Sequence, residues 1–278
     1  MLNICYNCDK EKRIKYVWFD TGLEYDATKK HLDYLRETYG IEIEEYKAIK
    51  PIPLVCKTYG QPFMSKLASD YISRLQKHNF QWEDDTFENL IKKYPNCKTA
   101  LLWWCNENGE SSRINISRNK YLREFMIEHP PWFPISFNCC EYAKKKVSYN
   151  IKRKYGSKLA ILGIRKAEGG VRSISYKNCF SEKDGIFELR PIFWFKNKDK
   201  EIYKEHFGIE NSRCYSEYGL PRTGCAGCPY GRNFENELLA VQKYEPKLYK
   251  GINNIFGDSY KYTRMYRDYV REKDVSKK

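Results

Sequence analysis

A chain of 278 residues can bury a sizeable core, and a hydrophobic share of 41% suits an ordinary globular protein. No apolar run approaches the ~20 residues of a membrane span, and Met1 to Cys8 lack the basic-then-apolar order of a secretory signal. The eleven cysteines, an odd number, are not spaced like a secreted disulfide scaffold, so a cytoplasmic protein is predicted. Lys and Arg outnumber Asp and Glu by 50 to 36, a formal charge of +14. That excess either serves a polyanionic partner such as DNA or RNA, or an anionic substrate, or is simply a solvated lysine-rich surface.

Tyr16-Val-Trp-Phe19 is a β-branched and aromatic run that predicts a buried strand, and it leads into Asp20-Thr21-Gly22. Asp26 can cap a helix whose apolar face carries Leu32 and Leu35, with Gly40 as its stop and Ile41-Glu-Ile43 as the next strand. Strand, turn, helix and strand within about 30 residues make a βαβ unit, and hence a parallel sheet. The stretch 51–138 predicts a mostly helical insertion: Pro51 and Pro53 break the chain, and a helix spans Lys66–Lys77. The pair Trp103-Trp104 either stacks on a base or packs a core.

Glu141 to Tyr155 predicts a helix closed by Gly156, and Lys158 to Gly163 a second parallel-type strand that delivers Arg165 to its end. Pro191 to Phe195 is another aromatic segment, and Asp199 to Phe207 reads as helix. A loop then carries Cys214, Cys225 and Cys228, and a last helix near 236–248 precedes a basic tail. The expected architecture is α/β, a parallel sheet flanked by helices. Residues 1–205 would form the core with its insertion, and residues 206–278 a cysteine-bearing C-terminal segment.

The sharpest motif is Arg222-Thr-Gly-Cys225-Ala-Gly-Cys228-Pro229. Glycines beside Cys-x-x-Cys let two thiolates converge on one ion without backbone strain. Such a pair is half of a tetrahedral site, and Cys139-Cys140, with 84 residues between Cys140 and Cys225, is the natural other half. Four thiolates suit a 4Fe-4S cluster or structural zinc, and adjacent cysteines favour the cluster. The alternative is a pair of buried small hydrophobes plus a redox dithiol. Cys5-x-x-Cys8 has no partner pair nearby and reads as a frayed, unliganded terminus; His31, His78, His129 and His206 have no ligand spacing. Asp20 at a strand end could meet a ribose hydroxyl or a metal, or simply hold a turn. Arg165, Arg172 and Arg222 could clamp an anion, since guanidinium matches phosphate oxygens.

Taken in order from Tyr16 to Pro229, these segments resemble the phosphoadenosine-phosphosulfate (PAPS) reductase family of the PP-loop superfamily. Asp20-Thr21-Gly22 is similar to the family's second-strand motif. Leu162-Gly163-Ile164-Arg165, with Glu168 and Arg172, is similar to the strand end that meets phosphate or sulfate. Pro191 to Trp194 is similar to the segment before the last helices. Cys139, Cys140, Cys225 and Cys228 resemble the ligands of iron–sulfur adenylylsulfate reductases and of the DNA-phosphorothioation member. The resemblance implies an adenine-nucleotide α-hydrolase-like fold, an adenine nucleotide or sulfonucleotide held through Asp20, Thr21, Gly22, Gly163, Arg165, Arg172 and Arg222, and sulfur chemistry with nucleic acid as one possible acceptor. Two departures stand out: no Ser-Gly-Gly-x-Asp-Ser loop precedes Tyr16, and the C-terminal residues carry no cysteine. They leave the catalytic residue unassigned and open a second reading, a loop-less relative that binds nucleic acid or a protein partner as a regulator.

Overall fold

Residues 1–169, 175–183, 185–231 and 233–276 are described by the computed structural model. In chain order, α1 spans Leu2–Cys8, β1 Tyr16–Asp20, α2 Asp26–Tyr39 and β2 Ile43–Lys47, with β1 and β2 hydrogen-bonded neighbours in one sheet. The predicted strand–turn–helix–strand order is there, with the second strand starting where Ile41-Glu-Ile43 ends. Asp26 in the first turn of α2 and Arg36 in its last both complement the helix dipole, and Gly40 takes φ +56° at its end. Helices α3 (Ile52–Tyr59), α4 (Lys66–Lys77), α5 (Phe87–Lys93), α6 (Lys98–Trp104), α7 (Leu122–Glu128) and α8 (Asn138–Cys140) follow. The stretch 51–138 is thus mostly helical. A π-helical turn, Glu141–Lys145, leads from α8 into α9 (Lys146–Lys154). Beyond lie β3 (Leu159–Ile161), β4 (Phe180–Lys183), β5 (Ile186–Leu189), α10 (Asn197–His206), α11 (Arg213–Ser216), α12 (Phe234–Tyr244) and α13 (Pro246–Val275). The structure is thus mixed α/β, with small parallel sheets flanked by helices. No helix among the described residues is long and apolar enough to cross a membrane.

Two units interleave along the chain. The first comprises 1–19, 26–46 and 145–221, and the second 20–25, 47–144 and 222–278. The first holds the β-structure. β3 runs parallel to β5 with Leu159 opposite Phe187 and Ile161 opposite Leu189, while β4 returns antiparallel to β5. Arg190, fully buried just past β5, meets Glu188 at 3.1 Å, the Asn178 carbonyl at 3.1 Å and Ser181 Oγ at 2.7 Å, with the Tyr176 ring 4.6 Å beneath it. A buried guanidinium survives because its donors are met by acceptors in fixed geometry.

The terminus of this unit corrects one expectation. Cys5-x-x-Cys8 is not frayed: it lies in α1, with Cys5 buried and Cys8 exposed. On α2, burial holds the His31 imidazole below its ordinary 6.5, against the upward pull of Glu210. A depressed imidazole pKa means that the unfolded chain binds the proton more readily. The stability it contributes is present above about 6.5 and is lost as pH falls through the lowered folded value. The fall in melting temperature from about pH 7.5 to about pH 5 is therefore expected to shrink in His31→Gln.

The second unit is helical around an aromatic core. Trp103 and Trp104 are fully buried, Tyr71 stacks on Trp103 at 5.3 Å, and Phe80 and Trp82 approach Trp104 edge-on. The tryptophan pair is core, which removes it as a base-stacking platform. Tyr262, Tyr266 and Tyr269 of α13 close the same core against Phe125 of α7. That corrects the expectation of a basic tail after residue 248: the tail is a 30-residue helix whose tyrosines are packed inside.

Candidate metal and nucleotide site

The motifs at Asp20-Thr21-Gly22, Cys139-Cys140 and Cys225-x-x-Cys228 all belong to the helical unit. Gly22 N–H donates to Asp20 Oδ1 at 2.8 Å, so this aspartate holds the turn. Gly22 has φ +82°, and a Cβ there would lie 2.8 Å from Pro51 Cβ, so the turn tolerates only glycine. Thr21, fully buried, donates its hydroxyl to Glu24 Oε1 at 2.6 Å and lies 3.6 Å from Cys225 Sγ. The Ala226 N–H inside Cys-x-x-Cys donates to the Leu23 carbonyl at 2.9 Å. The Asp-Thr-Gly turn and the cysteine loop, 204 residues apart, therefore touch.

The cysteine loop is held from two further sides. Gly227, at φ +62°, donates its N–H to Glu237 Oε1 at 3.0 Å, and Tyr25 donates its hydroxyl to the same oxygen. Tyr260 of α13 donates to the Gly227 carbonyl. A Cβ at Gly227 would fall 2.6 Å from both Ile252 Cδ1 and Tyr260 Oη, so close packing as well as backbone conformation requires glycine there. Burial raises the pKa of the Glu24 and Glu237 carboxyls.

Cys139 contacts Cys140 and Cys56, the latter from the buried face of α3, and lies within electrostatic reach of Cys228. The Cys140 contact favours the Cys139 thiolate, but Cys56 and burial outweigh it and push the thiol up. Contact with Cys139, then burial, does the same to Cys140. Burial pushes Cys228 to about 12. Cys225 is also raised by burial, although Lys144 and Thr21 pull the other way. Lys144 comes from the π-helical turn that directly follows Cys140. Burial alone would lower its pKa, but Cys225, Glu24 and Cys140 outweigh burial and raise it.

The four predicted cysteines thus share one neighbourhood, and sequence reasoning missed the fifth, Cys56. Nothing around Cys56 in the sequence distinguishes it from a small buried hydrophobe. It also missed Tyr230, next but one after Cys228. The Tyr230 hydroxyl is buried beside Cys139, Cys140 and Cys228 and has no hydrogen-bond partner among the described residues. The Ser69 hydroxyl within its reach is bonded to both the N–H and the carbonyl of Phe63.

As the side chains stand, no three His, Cys, Asp or Glu among the described residues are arranged to hold a metal ion. The donor set nevertheless fits a four-thiolate cofactor in its chemistry. It comprises four thiols in one neighbourhood, a half-buried lysine beside them and a buried O–H that lacks an acceptor among the described residues. Neither a known protein family nor any curated protein matches the chain.

The remaining residues lie elsewhere. Gly163 and Arg165 belong to the α/β unit. Gly163 is exposed, and a Cβ there would meet Met1 Sδ at 3.1 Å. Arg165 donates to Asn197 Oδ1 at 3.1 Å, and its backbone N–H is capped by Glu168 at 3.2 Å. Arg222, in the helical unit, is exposed and within electrostatic reach of Glu237. Arg172 falls outside the described residues.

Proposed function

We propose that this protein is a relative of the PAPS reductases with a Rossmann-like, PP-loop-type fold. In this reading Cys139, Cys140, Cys225 and Cys228 hold a 4Fe-4S cluster beside a site for an adenine nucleotide or sulfonucleotide. The observation that carries the proposal is the contact of Thr21, in the Asp-Thr-Gly turn, with Cys225 of the Cys-x-x-Cys loop. That contact sets a strand-end turn of the nucleotide-binding kind against the proposed ligands. Asp20 would offer a carboxylate to the ribose side, with Thr21 buried behind it on Glu24, and Arg222 would offer a guanidinium to the anionic side. The resemblance assigns Gly163, Arg165 and Arg172 to phosphate or sulfate. When bound, the cluster would supply positive charge and sulfur or redox chemistry. Lys144 would offset thiolate charge at Cys225 and Cys140. Zinc on the same four cysteines is the alternative filling, and it would leave them a structural role.

The test is the metal content and visible spectrum of protein purified without oxygen, followed by calorimetry with ATP and with adenosine phosphosulfate. About four irons per chain with broad brown absorbance, and nucleotide binding lost in Arg222→Ala, are the expected results. One zinc per chain overturns the cluster. Neither metal overturns the grouping of the four ligands, and no nucleotide binding overturns the substrate class.

Tyr230 yields a result of opposite sign in the two forms of the protein. In the metal-free form its unsatisfied buried hydroxyl costs about 1–3 kcal/mol. Tyr230→Phe should therefore raise that form's melting temperature. With the cluster bound, the hydroxyl would gain a thiolate or sulfide acceptor, and hydrogen bonds to cluster sulfurs raise the reduction potential. The same substitution should then lower the midpoint potential in a redox titration. A hydroxyl with no link to the cluster would leave the potential unchanged.

A further inference from the structure

Half of the formal charge surplus is concentrated in one segment. Lys144 to Lys158 holds seven Lys and Arg and no Asp or Glu, against +14 for the whole chain. Lys144 lies beside Cys225, Lys152 forms an ion pair with Glu188 at 3.4 Å, and Lys154 donates to the Tyr46 hydroxyl at 3.0 Å. Lys145, Lys146, Arg153, Lys154 and Lys158 are exposed. All five belong to the α/β unit and lie on or beside α9. That helix buries Val147 and Ile151 and turns positions 146, 149, 150, 153 and 154 to solvent.

A solvated lysine face would need nothing more, yet this one is interleaved with tyrosine rings. Tyr149 is 57% exposed, with the Arg153 guanidinium 5.7 Å from its ring centre. Lys154 lies 5.1 Å from the rings of both Tyr46 and Tyr155, and Lys15 lies 5.0 Å from Tyr155. The acid at this face, Glu44, accepts hydrogen bonds from the Tyr46 and Tyr155 hydroxyls, with Lys15 at 3.8 Å. An exposed ring flanked by cations offers a stacking surface to an unpaired base and counter-charges to the phosphates on either side.

We infer that the α9 face is a binding site for single-stranded nucleic acid, with Tyr149 stacking on a base and Lys145, Lys146, Arg153, Lys154 and Lys158 neutralising the backbone. The site stands apart from the cysteine chemistry and does not depend on the metal or nucleotide proposals.

The experiment is fluorescence anisotropy of a labelled mixed-sequence single-stranded DNA oligonucleotide, titrated with the full chain between about 50 and 200 mM salt. Single strands release about 0.7 counterion per neutralised phosphate, so five contacts imply a log–log slope near −3.5 and about a hundredfold loss over that range. The double variant Arg153→Gln, Lys154→Gln should bind about tenfold more weakly, with a slope near −2. Tyr149→Ala should bind at least about fivefold more weakly with its slope unchanged, because stacking releases no counterions. The double variant Lys247→Gln, Lys250→Gln, on exposed lysines of α13, should bind as wild type. Several results overturn the inference: absent or salt-independent binding, wild-type binding by the α9 variants, or a duplex bound as tightly with Tyr149→Ala silent. Capture of phosphatidylserine vesicles through α9 without oligonucleotide binding would reassign the face to an anionic lipid surface.

Discussion

If the proposed 4Fe-4S cluster is bound, alanine in place of Cys225 or Cys228 is expected to abolish its brown absorbance and reduce iron from about four per chain to near zero. Each would leave the proposed cluster with three of its four thiolates. Cys139→Ala and Cys140→Ala should act alike. Cys56→Ala is the discriminating comparison. Cys56 touches Cys139 and is equally buried, yet it lies outside the proposed ligand set. It should retain its full iron while losing only a small buried side chain, about 1 kcal/mol of stability. If Cys56→Ala loses iron and one of the four does not, Cys56 is the true ligand in its place. Iron analysis alongside a thermal melt of the metal-free variants separates ligand loss from misfolding.

Gly60→Ala carries the largest expected loss of stability. Gly60 ends α3 at φ +107°, ψ 169°, a conformation essentially reserved for glycine. A Cβ there would fall 2.2 Å from the Pro134 carbonyl oxygen and 2.5 Å from its carbon. Neither is a flexible side-chain tip that could swing aside. The contact is part of a small clamp: Gln61 N–H donates to the Pro134 carbonyl at 2.8 Å, and Ser136 N–H to the Gln61 carbonyl at 2.9 Å. This clamp sets the end of α3, with Cys56, alongside the chain entering α8, with Cys139. Backbone strain and overpacking together should cost about 4 kcal/mol, enough to unfold a marginal protein. A chemical-denaturation midpoint within error of wild type would contradict it.

Much of the local structure was legible because it rests on short-range chemistry. Ser65 caps α4 by accepting from Ala68 N–H at 3.1 Å, and the helix spans Lys66–Lys77 as its pattern predicts. Gly40 and Gly156 stop their helices in left-handed conformations. The grouping of Cys139-Cys140 with Cys225 and Cys228 was also readable, since two half-sites invite one another. Cys56 and Tyr230 were not, because a buried cysteine and a tyrosine after a proline carry no local signal. Their significance arises from Cys139 and Cys140, 83 to 91 positions away in the sequence. α13 is a different kind of miss. Tyr262, Tyr266 and Tyr269 recur at helical spacing, a signal that was present but obscured by the surrounding lysines and arginines.

That helix bears on how the protein comes into being on the ribosome. Ser259 N–H donates to Gln61 Oε1 at 2.9 Å, and Asp258 accepts from Gln61 Nε2 at 3.1 Å, across nearly 200 residues of sequence. At about 5–20 residues per second, translation delivers that partner roughly 10–40 s after Gln61. Until then Phe63, Phe125 and the buried tryptophans lack the wall that α13 provides. The aromatic core should therefore close only once α13 has been made, and nascent chains should depend on chaperones during that interval.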